Sequence, residues 1–227
     1  HIHLGAGSGD LLCQAGVAFG LEGGSIVSAF PTFPMLMDYA SVFKARWEKV
    51  NVTEQLEHDY AGMAKAVKAD TKLVFICNPN NPTGTLTTRE DIEWALENKP
   101  KGSVILLDEA YTHIAGAKFG SDLVAKDKDL IILRTFSKIY GMAGLRAGAA
   151  LGRPDLLQKI TPFSSGALPI TGMLGASVSL RTKGLVEERR KIIKDVREDV
   201  FAANIPVGGV EVAPSCFRLR EGASKAR

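Results

Sequence analysis

The chain has 227 residues, 45% hydrophobic and 23% charged, with a formal net charge of +3. That is an ordinary globular composition, long enough for one large domain, or one domain and part of a second, with a core that needs no covalent staples. Its basic residues form no block interleaved with aromatics, so no nucleic-acid partner is expected, and no apolar run is long enough to span a membrane.

His1 to Leu4 run straight into a glycine-rich loop, as if the chain opened inside a strand, so a preceding segment is expected. His1 and His3 form an HxH pair, but no third ligand is near in sequence and no metal site is expected. Gly5-Ala6-Gly7-Ser8-Gly9-Asp10 precedes a helix predicted from Asp10 to about Gly20. Glycines let a backbone approach an anion, and a helix N-terminus offers unpaired N–H groups. No Gly-Lys-Ser/Thr follows, so this is no P-loop, and alone it reads more readily as a structural turn than as an anion site. Cys13, Cys77 and Cys216 lie too far apart for a disulfide framework or a zinc pair, which suggests free thiols in a reducing, cytoplasmic setting. His58 and His113 read as surface or loop residues, His113 lying close enough to Tyr111 to edge a site.

Three apolar runs without polar alternation, Leu73–Cys77, Val104–Asp108 and Leu130–Arg134, predict strands buried on both faces. Asn78-Pro79-Asn80-Asn81-Pro82-Thr83-Gly84 follows the first, a sharp loop at the carboxyl end of a strand, where α/β sheets bind ligands. Thr87-Thr88-Arg89-Glu90 predicts a capping box, Thr87 with Glu90, opening a helix to about Asn98. Asp108-Glu109-Ala110-Tyr111 closes the second strand, and a carboxylate there must find a partner or stay solvated. Arg134-Thr135-Phe136-Ser137-Lys138 closes the third and leads to Gly141-Met142-Ala143-Gly144-Leu145-Arg146. A lysine among hydroxyl residues at a strand end suits a nucleophile, and Arg146 offers a fork-shaped donor for phosphate. Beyond Gly152-Arg153-Pro154 the chain turns helical. Lys183 to Ala203 is the longest predicted helix, with Glu187, Lys191 and Asp195 spaced four apart on an exposed face. Asn204-Ile205-Pro206 ends it. Strands alternating with helices give an α/β fold, a mostly parallel sheet with helices on both faces.

The ordered set Asn78–Gly84, Asp108–Tyr111 and Ser137-Lys138 with Gly144-Leu145-Arg146 resembles fold-type I pyridoxal-phosphate (PLP) aminotransferases of class I/II, the group that includes histidinol-phosphate aminotransferases. Phe30-Pro31-Thr32-Phe33 and Asp59-Tyr60 with Met63 look similar too, and the resemblance covers roughly residues 4 to 203. It implies a PLP-binding large domain over 1–182, a connecting helix over 183–203, and the start or remnant of an incomplete C-terminal small domain over 204–227. Lys138 is implied as the Schiff-base lysine and proton carrier, and Asp108 as partner of the pyridine nitrogen. Asn81 and Tyr111 would bond the ring oxygen, and Phe33 would stack on the ring. Ser8, Gly9, Thr135, Ser137 and Arg146 would hold the phosphate. The implied reaction is ping-pong transfer of an amino group between an amino acid, of histidinol-phosphate or aromatic type, and a 2-oxo acid, in a homodimer. The same residues would serve a PLP-dependent lyase or decarboxylase, or a non-catalytic transaminase-like module. The family's N-terminal arm, and a partner tyrosine that reaches the phosphate, would precede residue 1. Pro214-Ser215 faintly resembles the opening of the small domain, but Cys216-Phe217-Arg218 departs from it, so neither Arg218 nor Arg220 is assigned to the substrate carboxylate.

Overall fold

A computed structural model describes residues 1–126 and 128–202. The tail that carries Pro214, Cys216, Arg218 and Arg220 lies outside the described residues.

The elements run β1 (Ile2–Gly5), α1 (Ser8–Leu21), β2 (Ser25–Phe30), α2 (Met35–Val42), β3 (Arg46–Asn51), α3 (Tyr60–Ala66), β4 (Thr71–Cys77), α4 (Arg89–Asn98), β5 (Val104–Asp108), α5 (Thr112–Ala115), α6 (Ser121–Ala125), β6 (Leu130–Thr135), β7 (Gly148–Gly152), α7 (Pro154–Ile160), α8 (Ile170–Arg181) and α9 (Leu185–Ala202). Among the described residues the seven strands form one sheet in the order β1-β7-β6-β5-β4-β2-β3. Only β7 runs against the others: it pairs antiparallel with both β1 and β6, while β6, β5, β4, β2 and β3 are mutually parallel. The expected mostly parallel α/β sheet is therefore the fold.

Alternation along the strands separates the two faces of the core. Leu73, Phe75, Cys77, Leu106, Ile131 and Leu133 pack on one face with α1, α2 and α7. Val74, Ile76, Ile105, Leu107, Leu130 and Ile132 pack on the other with α3, α4 and α6. Ile105, Leu106 and Leu107 are all fully buried, which is why their run shows no polar alternation. A third cluster, Ile139, Tyr140, Met142, Ala147 and Ala176, ties the segment after β6 to α8, with Leu185, Val186 and Ile193 of α9 against it.

Two sequence expectations need correction. The capping box of α4 is shifted by one residue: Thr88 is the N-cap, its Oγ1 accepting from Asp91 N at 3.1 Å and donating to Asp91 Oδ2 at 2.7 Å. Thr87 instead accepts the Tyr60 hydroxyl at 2.8 Å and so is committed to tertiary packing. His58 is not a surface residue; it is buried, with Nδ1 3.2 Å from the Tyr60 hydroxyl, and burial pushes its pKa down to about 4. On α9 Lys191 pairs with Asp195 at 2.6 Å on an exposed face, as the spacing suggests. No helix among the described residues is long and apolar enough to cross a membrane.

Candidate active site

A cavity of about 240 Å³ opens where the parallel strands end. It is lined by Ser8, Gly9, Phe33, Asn81, Asp108, Tyr111, Thr135, Ser137, Lys138 and Arg146, the ten residues singled out in the sequence, together with Cys77, Ala110 and Ala143. The three additions carry no chemical signal in the sequence. Cys77 enters as the last residue of β4, and the two alanines enter because small side chains leave room.

One wall is built around α1. Its N-cap, Gly7, has φ +90° and makes no side-chain cap, so the first turn presents backbone N–H groups at Ser8 and Gly9. The loop is held from behind by Asp10, whose Oδ2 accepts from Ala6 N at 2.9 Å and from Gln14 Nε2 at 3.0 Å. Gln14 in turn bonds His3 at 2.8 Å, which gives that half-buried histidine a partner within the fold. Arg146 lies across the loop, donating from Nη2 to Ala6 O at 2.6 Å and from Nη1 to Ala143 O at 2.8 Å, with Ser137 Oγ at 3.5 Å. Its backbone sits at φ +55°, a left-handed setting uncommon for a residue with a Cβ. Thr135 Oγ1 accepts from Ser137 N at 3.1 Å, which turns the chain sharply after β6. A helix N-terminus, a guanidinium and two hydroxyls thus converge at one end of the cavity, a combination that suits a phosphate dianion.

The opposite wall is the end of β5. Asp108 is 3% exposed and accepts from Ala110 N at 3.1 Å. Burial pushes its pKa up to about 7, against the pull of that N–H, with Glu109 raising it further and Lys138 lowering it. A carboxyl so placed favours a ligand that brings a proton or a positive charge. Lys138 reaches over Tyr111, its Nζ 5.0 Å from the ring centroid. Phe33, packed at the rim of the core after β2, offers the flat apolar surface.

The loop after β4 divides its amides between architecture and site. Asn78 bonds both the N–H and the carbonyl of Thr87. Asn80 is buried, accepting from Thr32 Oγ1 at 2.7 Å and donating to Pro31 O and Thr83 Oγ1. Thr112 Oγ1 donates to Asn78 O at 2.8 Å and so binds the loop to the segment after β5. Asn81 is left to line the cavity. The ring of His113, by contrast, does not line it: it packs between Phe119 at 4.5 Å and Tyr140 at 5.5 Å. A second, larger recess of about 570 Å³ lies alongside, between the Pro79–Gly84 loop and α9, and shares Asn81 and Tyr111 with the first.

Residues 1–216 match the family model for aminotransferase class I and II. The chain is 35% identical over 230 residues to an aromatic amino acid aminotransferase of Mycobacteroides abscessus, covering 95% of this chain and 62% of that protein. It is 34% identical over 192 residues to a histidinol-phosphate aminotransferase of Bacillus cytotoxicus, covering 82% of this chain and 51% of that protein. Among solved structures, the histidinol-phosphate aminotransferase of Sinorhizobium meliloti in complex with pyridoxal-5'-phosphate superposes with a TM-score of 0.80 at 25% identity, over 89% of this chain and 56% of that one. The chain thus spans about half to three-fifths of the length of these relatives.

Proposed function

The chain belongs to the aminotransferase class I and II family, and from that membership we propose that it is the catalytic core of a PLP-dependent aminotransferase, with Lys138 holding the cofactor. The observation that carries this reading is the convergence of all ten expected residues on one cavity, with a phosphate site at one end and a buried carboxyl at the other. The residues fit the group. Asp108, buried and pushed up to about 7, would gain in a protonated ring nitrogen the cationic partner its position favours. The uncapped α1 terminus with Arg146 would take the phosphate.

When bound, PLP supplies an electron sink that stabilises negative charge at the carbon bearing the amine. The protein's own groups do the rest. Lys138 Nζ would hold the cofactor and, when released from it, would be the base that moves the proton on the substrate Cα. Asp108 would keep the ring nitrogen protonated, Asn81 and Tyr111 would donate to the ring oxygen, and Phe33 would cover the ring and exclude water from that face. Ser8, Gly9, Thr135, Ser137 and Arg146 fix the phosphate so that the reacting carbon cannot wander from Lys138.

The substrates on this reading are an amino acid and a 2-oxo acid. The recess beside the cavity is walled by Ile114, Ile192, Ile193 and Val196, which supports an aromatic or imidazole-type donor. The named relatives are aminotransferases, which favours transamination over lyase or decarboxylase chemistry. Residues 1–182 form the cofactor domain in this proposal, 183–203 the connecting helix, and 204–227 the start of the C-terminal domain. We assign the active form as a homodimer, supported by an exposed apolar stripe on α8. We assign the compartment as the cytoplasm, which the free thiols of Cys13 and Cys77 support.

The test is the visible spectrum of the protein loaded with PLP, beside Lys138→Ala. The expected result is a visible band present in the wild type, absent in the variant, lost on adding an aromatic amino acid and restored by a 2-oxo acid. A wild type with no such band overturns the cofactor assignment. A band that no amino acid changes keeps the cofactor and overturns transamination.

A further inference from the structure

Glu109 and Arg134 lie one residue away from the cavity wall in opposite senses along the chain, Glu109 after Asp108 and Arg134 before Thr135. Alternation therefore turns them to the other face of the sheet, the face of Leu107 and Ile132. The packing of Gly120 agrees, since its modest space is bounded by Ile132, Leu107 and Glu109 together. Glu109 is 3% exposed. Its Oε1 accepts from Gly120 N at 2.6 Å and its Oε2 from Arg134 Nε at 3.0 Å. The guanidinium of Arg134 stacks on Phe119, 4.2 Å from the centroid, and its Nη2 is buried without a hydrogen-bond partner among the described residues. The backbones are joined at the same point, Glu109 N donating to Leu133 O at 2.9 Å.

An ion pair with one partner buried and the other, Arg134, only partly so is seldom a large net source of stability, because desolvation offsets the attraction. Its place in the fold suggests a different use. β5 carries Asp108 and leads to Tyr111; β6 carries Thr135 and leads to Lys138. We infer that Glu109 and Arg134 are positioning residues of the cofactor cavity: their ion pair, on the opposite face of the sheet, fixes the ends of β5 and β6 to one another and balances the charge beneath Asp108 and Lys138. This rests on the PLP reading above, since it concerns the same cavity.

Several groups share the field in which such a pair acts. Arg134 from β6 and Arg89 from α4 face Glu109. His113 and Tyr140 face Arg134, with Arg190 and Glu187 of α9 beside them. Glu109 and Lys138 face Asp108, and Cys77 faces it from β4. Arg89 is already held by Asp122 and Glu93, whereas Arg134 has its ion pair, among the described residues, with Glu109. Removing Glu109 alone therefore leaves an uncompensated cation under the site. That cation makes proton release from the bound cofactor easier. Removing both charges restores the balance.

The experiment uses the full chain loaded with PLP and compares Glu109→Gln, the double variant Glu109→Gln/Arg134→Met, and Lys99→Met as control. Lys99 forms a similar pair with Asp129 at 2.8 Å, but where the strands begin. The readouts are the midpoint pH of the visible band, the Kd for PLP and the melting temperature of the cofactor-free protein. Glu109→Gln is expected to lower the midpoint by about half a pH unit or more and to weaken PLP binding about fivefold, the double variant to bring the midpoint back towards the wild type, and Lys99→Met to change melting alone. A midpoint that stays put in Glu109→Gln overturns the inference, as does a shift that the double variant fails to reverse or that Lys99→Met reproduces. If the single variant does not fold, a double variant whose midpoint and Kd match the wild type supports charge balance, and one whose values remain displaced overturns it. Loss of the band in the wild type overturns the cofactor reading and the inference with it, whereas a normal wild-type band with unmoved variants overturns the inference alone.

Discussion

At the residue scale, Asp108 shows a function set by environment. Its chemistry is ordinary, but burial at the end of β5 lifts its pKa to about 7, well above the usual carboxylate range of about 4. Between those values the folded chain keeps a proton that the unfolded chain has released. The unfolded state binds fewer protons there, so cofactor-free stability falls as pH rises from about 4 to about 7, then levels. Asp108→Asn removes that titration. The variant is expected to melt above the wild type at pH 8, with its advantage shrinking as pH is lowered towards 4. A gap in melting temperature that does not change with pH would count against the buried carboxyl. The same variant should bind PLP more weakly by roughly 10- to 100-fold, the worth of one charge-assisted hydrogen bond, measured by equilibrium titration of the visible band. The chemistry-bearing residues were legible in the sequence because Asp108, Lys138 and Arg146 punctuate apolar or glycine-rich runs. Glu109 was not, because a carboxylate beside another reads as solvated until Gly120 and Arg134 are seen to surround it.

At the element scale, legibility followed burial on both faces. β4, β5 and β6 are central strands, and their unbroken apolar runs announce them. β3 is an edge strand whose residues are all exposed or half-buried, and its Arg46-Trp47-Glu48-Lys49 carries too little apolar signal. β7, Gly-Ala-Ala-Leu-Gly, carries no β-branched residue and is a strand by tertiary demand. That demand is close approach to the α1 terminus: a Cβ on Gly148 would lie 2.5 Å from Gly7 C and 2.7 Å from Ser8 N. Gly148→Ala must therefore push the phosphate end of the cavity aside. It is expected to cost about 1–3 kcal/mol of stability, read by denaturant unfolding, and to weaken PLP binding as well. Normal PLP affinity in that variant would separate the α1 loop from the phosphate. The cap of α4 tests the one-residue correction: Thr88→Ala should lose about 1 kcal/mol in the same unfolding measurement, from a cap removed at a site remote from the cavity. Its PLP affinity should be unchanged.

At the scale of the whole molecule, the feature sequence reading could not supply is which apolar residues stay in water. Ile170, Leu174 and Val178 recur every four residues on α8, a pattern that in sequence signals a core face. In the folded chain they are 76%, 62% and 64% exposed. The face of α8 that does pack is its small one: Gly172 lies against the Leu145 carbonyl, and Ala176 is buried in the cluster with Met142. α8 thus braces the 143–146 segment that carries Arg146 with one side, and offers three branched side chains to solvent with the other. A continuous apolar stripe of this kind is rarely left uncovered on a stable monomer. Covering it with the same stripe of a second copy gives the self-complementary contact of a two-fold dimer. Sedimentation velocity of the full chain at micromolar concentration is expected to give twice the chain mass, and Leu174→Glu to give a single chain. Because Leu174 is exposed in one chain, the variant's fold by circular dichroism should match the wild type. If the stripe braces Arg146 through the dimer, the monomeric variant should also bind PLP more weakly. A wild type that sediments as a single chain would leave α8 to another partner and remove the homodimer from the proposal.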